Sequence, residues 1–305
     1  MAGTKAPWRP QLTPHPASDA AAAAAHQTRP SGAHRRRRPR RPCDSSPVTT
    51  TAEKARELLR LHRDPELLVL VNVWDVITAT VVADVPGTRA LATASHSIAA
   101  AHGYPDGEQI PLDLMITAVG RIAAAVDLPV TADLEAGYGD PGTTVSRAID
   151  VGIVGANLED KLKPLPDAVA AVEAAVAAGA RAGMPFVLNA RTDAFLKAGD
   201  KDPEAVLADA IERGRAYLDA GASTFFVPGR LDEPTVTRLV EALGAHTVNV
   251  IGVPGSLTLE TLHRLGVARV SYGPWSQNVA LTALATFAEE VHRGGRLPEG
   301  TRKLN

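Results

Sequence analysis

Eight short apolar runs, each followed by a loop and then by an alanine-rich amphipathic stretch, recur along residues 67–274. They read LLVLVNVW (67–74), RALATAS (89–95), LPVTADLE (128–135), GANLED (155–160), FVLNARTD (186–193), STFFVPG (223–229), TVNVIG (247–252) and RVSYGP (269–274). Strands that are apolar on both faces and alternate with helices belong to parallel sheets covered by helices. The stretches 111–127, 166–183 and 203–221 carry helical spacing, and several begin near Pro or Asp and end at Gly, as capping rules require. Eight such units predict a closed (β/α)8 barrel of the TIM type. An open doubly wound sheet is the alternative. It is disfavoured because no glycine-rich dinucleotide fingerprint follows the first run.

Charge divides the chain in two. Residues 1–50 hold nine of the 32 lysines and arginines but only Asp19 and Asp44 of the 34 acidic residues. The remainder is therefore acidic. The first segment is rich in Pro, Ala, His and Arg and poor in large aliphatics, so it is expected to be a disordered basic tail, with the barrel and its C-terminal helices in 51–305. The run HRRRRPRRP (34–42) resembles a nucleic-acid-binding patch. No basic face continues after residue 50, so no nucleic-acid partner is expected. No stretch approaches the roughly 18 apolar residues of a membrane helix. Cys43 is the only cysteine. An intramolecular disulfide is impossible, which fits a cytoplasmic location.

Chemistry in such a barrel collects at the C-terminal ends of strands. Those ends carry Asp75 after the first run, Ser95 and His96 after the second, and Asp133 and Glu135 in the third. Glu159 and Asp160 close the fourth, and Arg191 and Asp193 the fifth. Asn249 lies in the seventh. Asp133 and Glu135, two apart, are expected on one side of their strand. Neighbouring carboxylates beside one arginine suit a hard divalent cation and an anionic substrate.

The segments NVWD, HGYPDGE, TADLEAGYGD, ANLEDK and NARTDAF, in this order and spacing, resemble the isocitrate lyase / phosphoenolpyruvate mutase superfamily over about residues 65–275. That resemblance implies a Mg²⁺ site, with Mn²⁺ as a substitute, held mostly through water by Asp133, Glu135 and Glu159. It implies that Arg191 grips a substrate carboxylate and that Asp106 of GYPDG acts in the loop after the second strand. It places Thr93, Ala94 and Ser95 in a cradle for an α-oxo acid, with Trp74 and Asp75 flanking the pocket. The shared chemistry is stabilisation of an enolate. The resemblance also implies a homotetramer that exchanges its last helix, here 276–293.

Departures from the family narrow the reaction. Isocitrate and methylisocitrate lyases carry a cysteine loop after the fourth strand; here that loop reads EDKLKPLPDA. Lys161 and Lys163 are its candidate acid–base groups, and Asn189 and Asn249 are candidates for the pocket lining. The expected activity is Mg²⁺-dependent C–C cleavage of a small α-oxo or α-hydroxy carboxylic acid, such as oxaloacetate-like decarboxylation or cleavage of a 2-hydroxy diacid. The alternatives are P–C chemistry, as in phosphoenolpyruvate mutase or phosphonopyruvate hydrolase, and a barrel that binds a metabolite without turnover.

Overall fold

The computed structural model describes residues 50–304. The basic segment and Cys43 lie outside the described residues. The chain begins with α1 (Thr51–Arg63), β1 (Leu68–Leu70), β2 (Asn72–Val73), α2 (Val76–Ala83), β3 (Leu91–Thr93), α3 (Ser95–Ala101) and α4 (Leu112–Ala125). It continues with β4 (Val130–Asp133), α5 (Pro141–Asp150), β5 (Gly155–Glu159), α6 (Leu165–Arg181), β6 (Val187–Arg191) and α7 (Pro203–Asp219). Then follow β7 (Thr224–Val227), α8 (Glu233–Leu243), β8 (Val248–Ile251), α9 (Leu259–Arg264), β9 (Arg269–Ser271) and α10 (Trp275–His292).

All strand pairs are parallel, in the order β1-β9-β8-β7-β6-β5-β4-β3-β2. The first apolar run supplies both ends of this list. Its β1 half pairs with β9 and its β2 half with β3, and Val71 separates them. The nine strands are thus an eight-fold barrel whose first strand is broken once. Asn72 sews the break. Its Oδ1 accepts from the backbone N–H groups of Tyr272 and Gly273, and its Nδ2 donates to the Thr93 carbonyl.

Alternating burial along α4 through α8 turns apolar faces onto the barrel, where Val119, Val145, Val172, Ala210 and Leu239 are all buried. The expected alternation of strands and helices follows from this layering. Helix α1 lies outside the repeat that predicts the other elements. It opens on a capping box between Thr50 and Glu53 and packs Leu58 against Gly155 at the N-terminal end of β5. It therefore closes the end of the barrel opposite the strand C-termini. Helix α10 leaves Val279, Leu281, Leu284 and Val291 exposed. No described helix is long and apolar enough to cross a membrane.

Candidate active site

The strand register brings the predicted charges together. Asp133 pairs with Asn157 across β4 and β5, and Glu159 pairs with Arg191 across β5 and β6. Side chains in register on parallel neighbours point the same way, so the carboxylates and the guanidinium share the C-terminal mouth of the barrel. A cavity of about 270 Å³ opens there, lined in part by Ala94, Ser95, His96, Asp106, Asp133, Asn157 and Arg191. That volume lies just below the roughly 300–1,000 Å³ of small-molecule sites, so the occupant is small.

Arg191 is clamped from both sides. Its Nη1 lies 2.8 Å from Glu159 Oε2, its Nη2 lies 2.7 Å from Asp193 Oδ1, and its Nε donates to the same Asp193 oxygen at 2.9 Å. The Nε–H makes a hydrogen bond, and both terminal nitrogens stand in ion-pair contact with carboxylates. A guanidinium is the side chain whose planar fork can meet a carboxylate edge-on.

Asp133 is fixed from the neighbouring strand. Its Oδ2 accepts from Ser95 N–H at 3.1 Å and from Ser95 Oγ at 2.7 Å, while its own N–H donates to Thr93 Oγ1 at 3.0 Å. Thr93 thus supports the site from below rather than lining the cavity.

Glu135 departs from the simple strand expectation. Strand β4 ends at Asp133, and Glu135 takes a left-handed backbone at φ 52°. Alternation no longer applies there, so its placement follows from the turn and not from the strand. The side chain is buried, and Tyr138 Oη donates to it at 3.3 Å. Gly137 is required in the same turn: it sits at φ 88°, and a Cβ would meet Pro141 at 2.8 Å. Asp140 caps α5 by accepting from Thr143 N–H. Burial, reinforced by Asp133, pushes Glu135 up to about 7. Burial also pushes Glu159 up to about 7, with Arg191 opposing and Asp133 reinforcing the shift. These carboxylates are crowded by like charge.

Lys161 Nζ lies 2.8 Å from Glu108 Oε2 and 4.0 Å from Glu159 Oε1. Glu108 also accepts from Tyr138 N–H. This pair ties the segment between α3 and α4 to the loop after β5. Glu108, Lys161 and Leu162 all have left-handed backbones, a concentration of strain that sits at the mouth. Lys163 is exposed and does not line the cavity. His96 Nδ1 lies 3.5 Å from Asp106 Oδ2 at the rim.

Other residues expected in the lining are placed elsewhere. Trp74 and Asp75 border a separate cavity beside α2, and Asp75 caps that helix. Asn189 is buried in the barrel interior, donating to Asn157 Oδ1 at 2.6 Å and accepting from Thr224. Asn249 is also fully buried, and its amide has no partner among the described residues. Asn157 and Glu108, which the sequence reading does not single out, contribute directly. The signal for Asn157 is its position two before Glu159 on a strand, hence on the same face. Glu108 carries no comparable signal.

Among the described residues, no three His, Cys, Asp or Glu side chains converge closely enough to hold one metal ion directly.

Comparison with known proteins places this site in context. The family described as phosphoenolpyruvate phosphomutase matches residues 58–292. The 2,3-dimethylmalate lyase of Eubacterium barkeri is 28% identical over 215 residues, covering 65% of this chain and 70% of that protein. A proposed phosphonomutase of Burkholderia cenocepacia J2315 superposes with a TM-score of 0.73 at 42% identity, covering 81% of this chain and all of that one. Oxaloacetate acetylhydrolase in complex with its product oxalate superposes with a TM-score of 0.71 at 26% identity, covering 83% and 92%.

Proposed function

The chain belongs to the phosphoenolpyruvate phosphomutase family of the isocitrate lyase superfamily, enzymes that are lyases or mutases acting on small acids, and from that premise we propose that it is a Mg²⁺-dependent carbon–carbon lyase. Its substrate is a small α-oxo or α-hydroxy carboxylic acid, and the bond breaks through an enolate. The observation that carries this reading is the placement of Arg191 on the cavity wall with Asp133, held between Glu159 and Asp193.

The residues fit the ion. The donor set around the mouth is all oxygen, as Mg²⁺ prefers, and carboxylates raised by burial and by the nearby Asp133 are relieved by added positive charge. Mg²⁺ keeps several of its waters, so Asp133, Glu135 and Glu159 would hold it through water. Bound there, it would polarise the oxygen on C2 of the acid.

The chain's own groups do the rest. Arg191 seats the carboxylate and fixes its plane, which aligns the bond to be broken. Ser95 holds Asp133 in one orientation by two hydrogen bonds. Negative charge that develops on the acid then faces a guanidinium already in position, so little reorganisation is needed. Lys161, held by Glu108, closes the two loops over the mouth and limits water. By family analogy the protein is a homo-oligomer, with the exposed apolar face of α10 as its contact.

The test is deuterium exchange at the methyl group of pyruvate in D₂O with and without Mg²⁺, beside pyruvate release from oxaloacetate and from phosphonopyruvate. Mg²⁺-dependent exchange is expected. Pyruvate from phosphonopyruvate alone would assign P–C chemistry instead. Oxalate binding without exchange or turnover would mark a binding protein.

A further inference from the structure

Asn157 is held by one end of its amide. Arg269, buried on β9, donates from Nη2 to Asn157 Oδ1 at 3.2 Å, and Asn189 Nδ2 lies 2.6 Å from the same oxygen. A guanidinium only donates, so the atom it meets is the amide oxygen. That assigns the rest of the row. Asn189 turns its own Nδ2 to Asn157, and its Oδ1 then accepts from Thr224 Oγ1 at 2.7 Å. Arg269 thereby sets the orientation of polar side chains across β5, β6 and β7.

The other end of Asn157 is unengaged. Its Nδ2 donates to no group among the described residues, and the residue stands on the cavity lining. Asn249 offers a contrast, because its unpartnered amide is sealed in the interior. Turning the Asn157 amide over would set its NH₂ against two donors. It would also leave Arg269 with no acceptor, since Arg269 Nε and Nη1 already have none among the described residues. A buried guanidinium without a partner is strongly unfavourable, so the N–H groups of Asn157 stay toward the cavity.

Asp133 is the register partner of Asn157, one strand spacing or about 4.8 Å away. Glu159 and Arg191 pair two residues farther along β5 and β6, about 6.6 Å nearer the mouth. Asn157 thus lies at the floor beside Asp133, below the guanidinium. The wall opposite, with Phe226, Ile251 and Val253, carries no side-chain donor. With the carboxylate of the acid seated on Arg191, the oxygen on C2 is the acceptor that reaches the floor.

We infer that Asn157 is a further catalytic residue, whose Nδ2 donates to the C2 oxygen of the bound acid and stabilises the charge that gathers there in the enolate. Arg269 and Asn189 are positioning residues that fix this donor before the acid arrives. A donor already aimed at a developing oxyanion needs no reorganisation during the reaction. The inference rests on the reading of the site given above and adds a donor to it.

Two variants separate the donor from the acceptor. Asn157→Asp keeps an oxygen for Arg269 and Asn189 and loses the donor. Asn157→Leu loses both ends and adds no charge. Deuterium exchange into the methyl group of pyruvate is measured on the full chain with Mg²⁺, with folding checked by circular dichroism. Both variants are expected to slow exchange by about a hundredfold or more. A purely structural role would spare Asn157→Asp, and charge repulsion alone would spare Asn157→Leu. Exchange within about threefold of wild type in either variant therefore overturns the inference. Should Asn157→Leu not fold, the decision passes to wild type labelled with ¹⁵N-asparagine, in which the Asn157 side-chain signal is identified by its absence from Asn157→Asp. Oxalate added with Mg²⁺ is expected to shift that signal, and an unmoved signal overturns the inference. A wild type that neither exchanges pyruvate nor binds oxalate removes the site reading, and this inference with it.

Discussion

Arg191 and Glu159 are register partners on adjacent strands, and their side chains meet at 2.8 Å at the mouth of the barrel. On the opposite side of the guanidinium stands Asp193, which is buried. A planar fork held by carboxylates on two sides keeps one orientation beside the cavity. A lysine in its place would keep the charge and lose the fork.

Arg191→Lys is therefore expected to lower Mg²⁺-dependent pyruvate exchange by about a hundredfold or more, the cost of removing a preorganised donor. Oxalate binding should weaken with it, while far-ultraviolet circular dichroism stays that of wild type. Exchange within about threefold of wild type would remove Arg191 from the substrate seat.

Asp160 is the anchor beneath that arrangement. Its carboxylate accepts from the N–H groups of Leu162 and Asp193, the hydroxyls of Thr192 and Tyr217, and Arg213 Nη1. It thus joins the loop after β5, the end of β6 and helix α7. Asp160→Ala would leave Arg213 buried without this partner, and breaking a buried pair typically costs about 3–5 kcal/mol. Urea denaturation should show that loss as a lower midpoint at unchanged slope. A loss below about 1 kcal/mol would mean that the network is redundant.

How much of this is legible in the sequence depends on which physical rule governs each residue. Asp133, Glu159 and Arg191 stand at strand ends, where barrel topology alone brings them together. Asp160, next to Glu159 and so on the other face, is readable as a structural partner for the same reason. Glu135 escapes placement, because a left-handed backbone after Asp133 breaks the alternation on which such a reading relies. The break at Val71 is hidden inside a continuous apolar run. Helix α1 carries a visible T-x-x-E capping signal, yet it falls before the first strand, where the repeat offers no guide. Phe226, Ile251 and Val253 look like core in the sequence, since an apolar pocket wall and a buried strand have the same composition.

Gly155 shows how closely the far end of the barrel is packed. A Cβ there would meet the Val187 carbonyl oxygen at 2.7 Å and Leu58 Cδ2 at 2.9 Å. The first contact is backbone, which cannot step aside without spreading β5 from β6. Gly155→Ala is expected to destabilise the fold by about 1–3 kcal/mol, the usual range for overpacking. Thermal unfolding measures it. An unchanged or raised melting temperature would show that α1 yields instead.

His62 makes stability depend on pH. It lies buried on α1, its Nδ1 is 2.8 Å from the Leu58 carbonyl, and its Nε2 has no partner among the described residues. A carbonyl only accepts, so Nδ1 carries the proton of the neutral ring. Burial, reinforced by the Arg269 guanidinium, pushes the imidazole down to about 3. In the unfolded chain it titrates near the ordinary value of about 6.5. Between those two values the unfolded state binds the proton and the folded state does not, so stability rises with pH across this window and gains nothing further above it. Acidification below about 6.5 should therefore cost wild type up to about 1.4 kcal/mol per pH unit relative to a His62→Leu variant, which has no imidazole to charge. Urea midpoints of both proteins measured from pH 7 to pH 5 give the comparison. Curves that run parallel over that range would show that the ring is protonated in the fold, or that water reaches it.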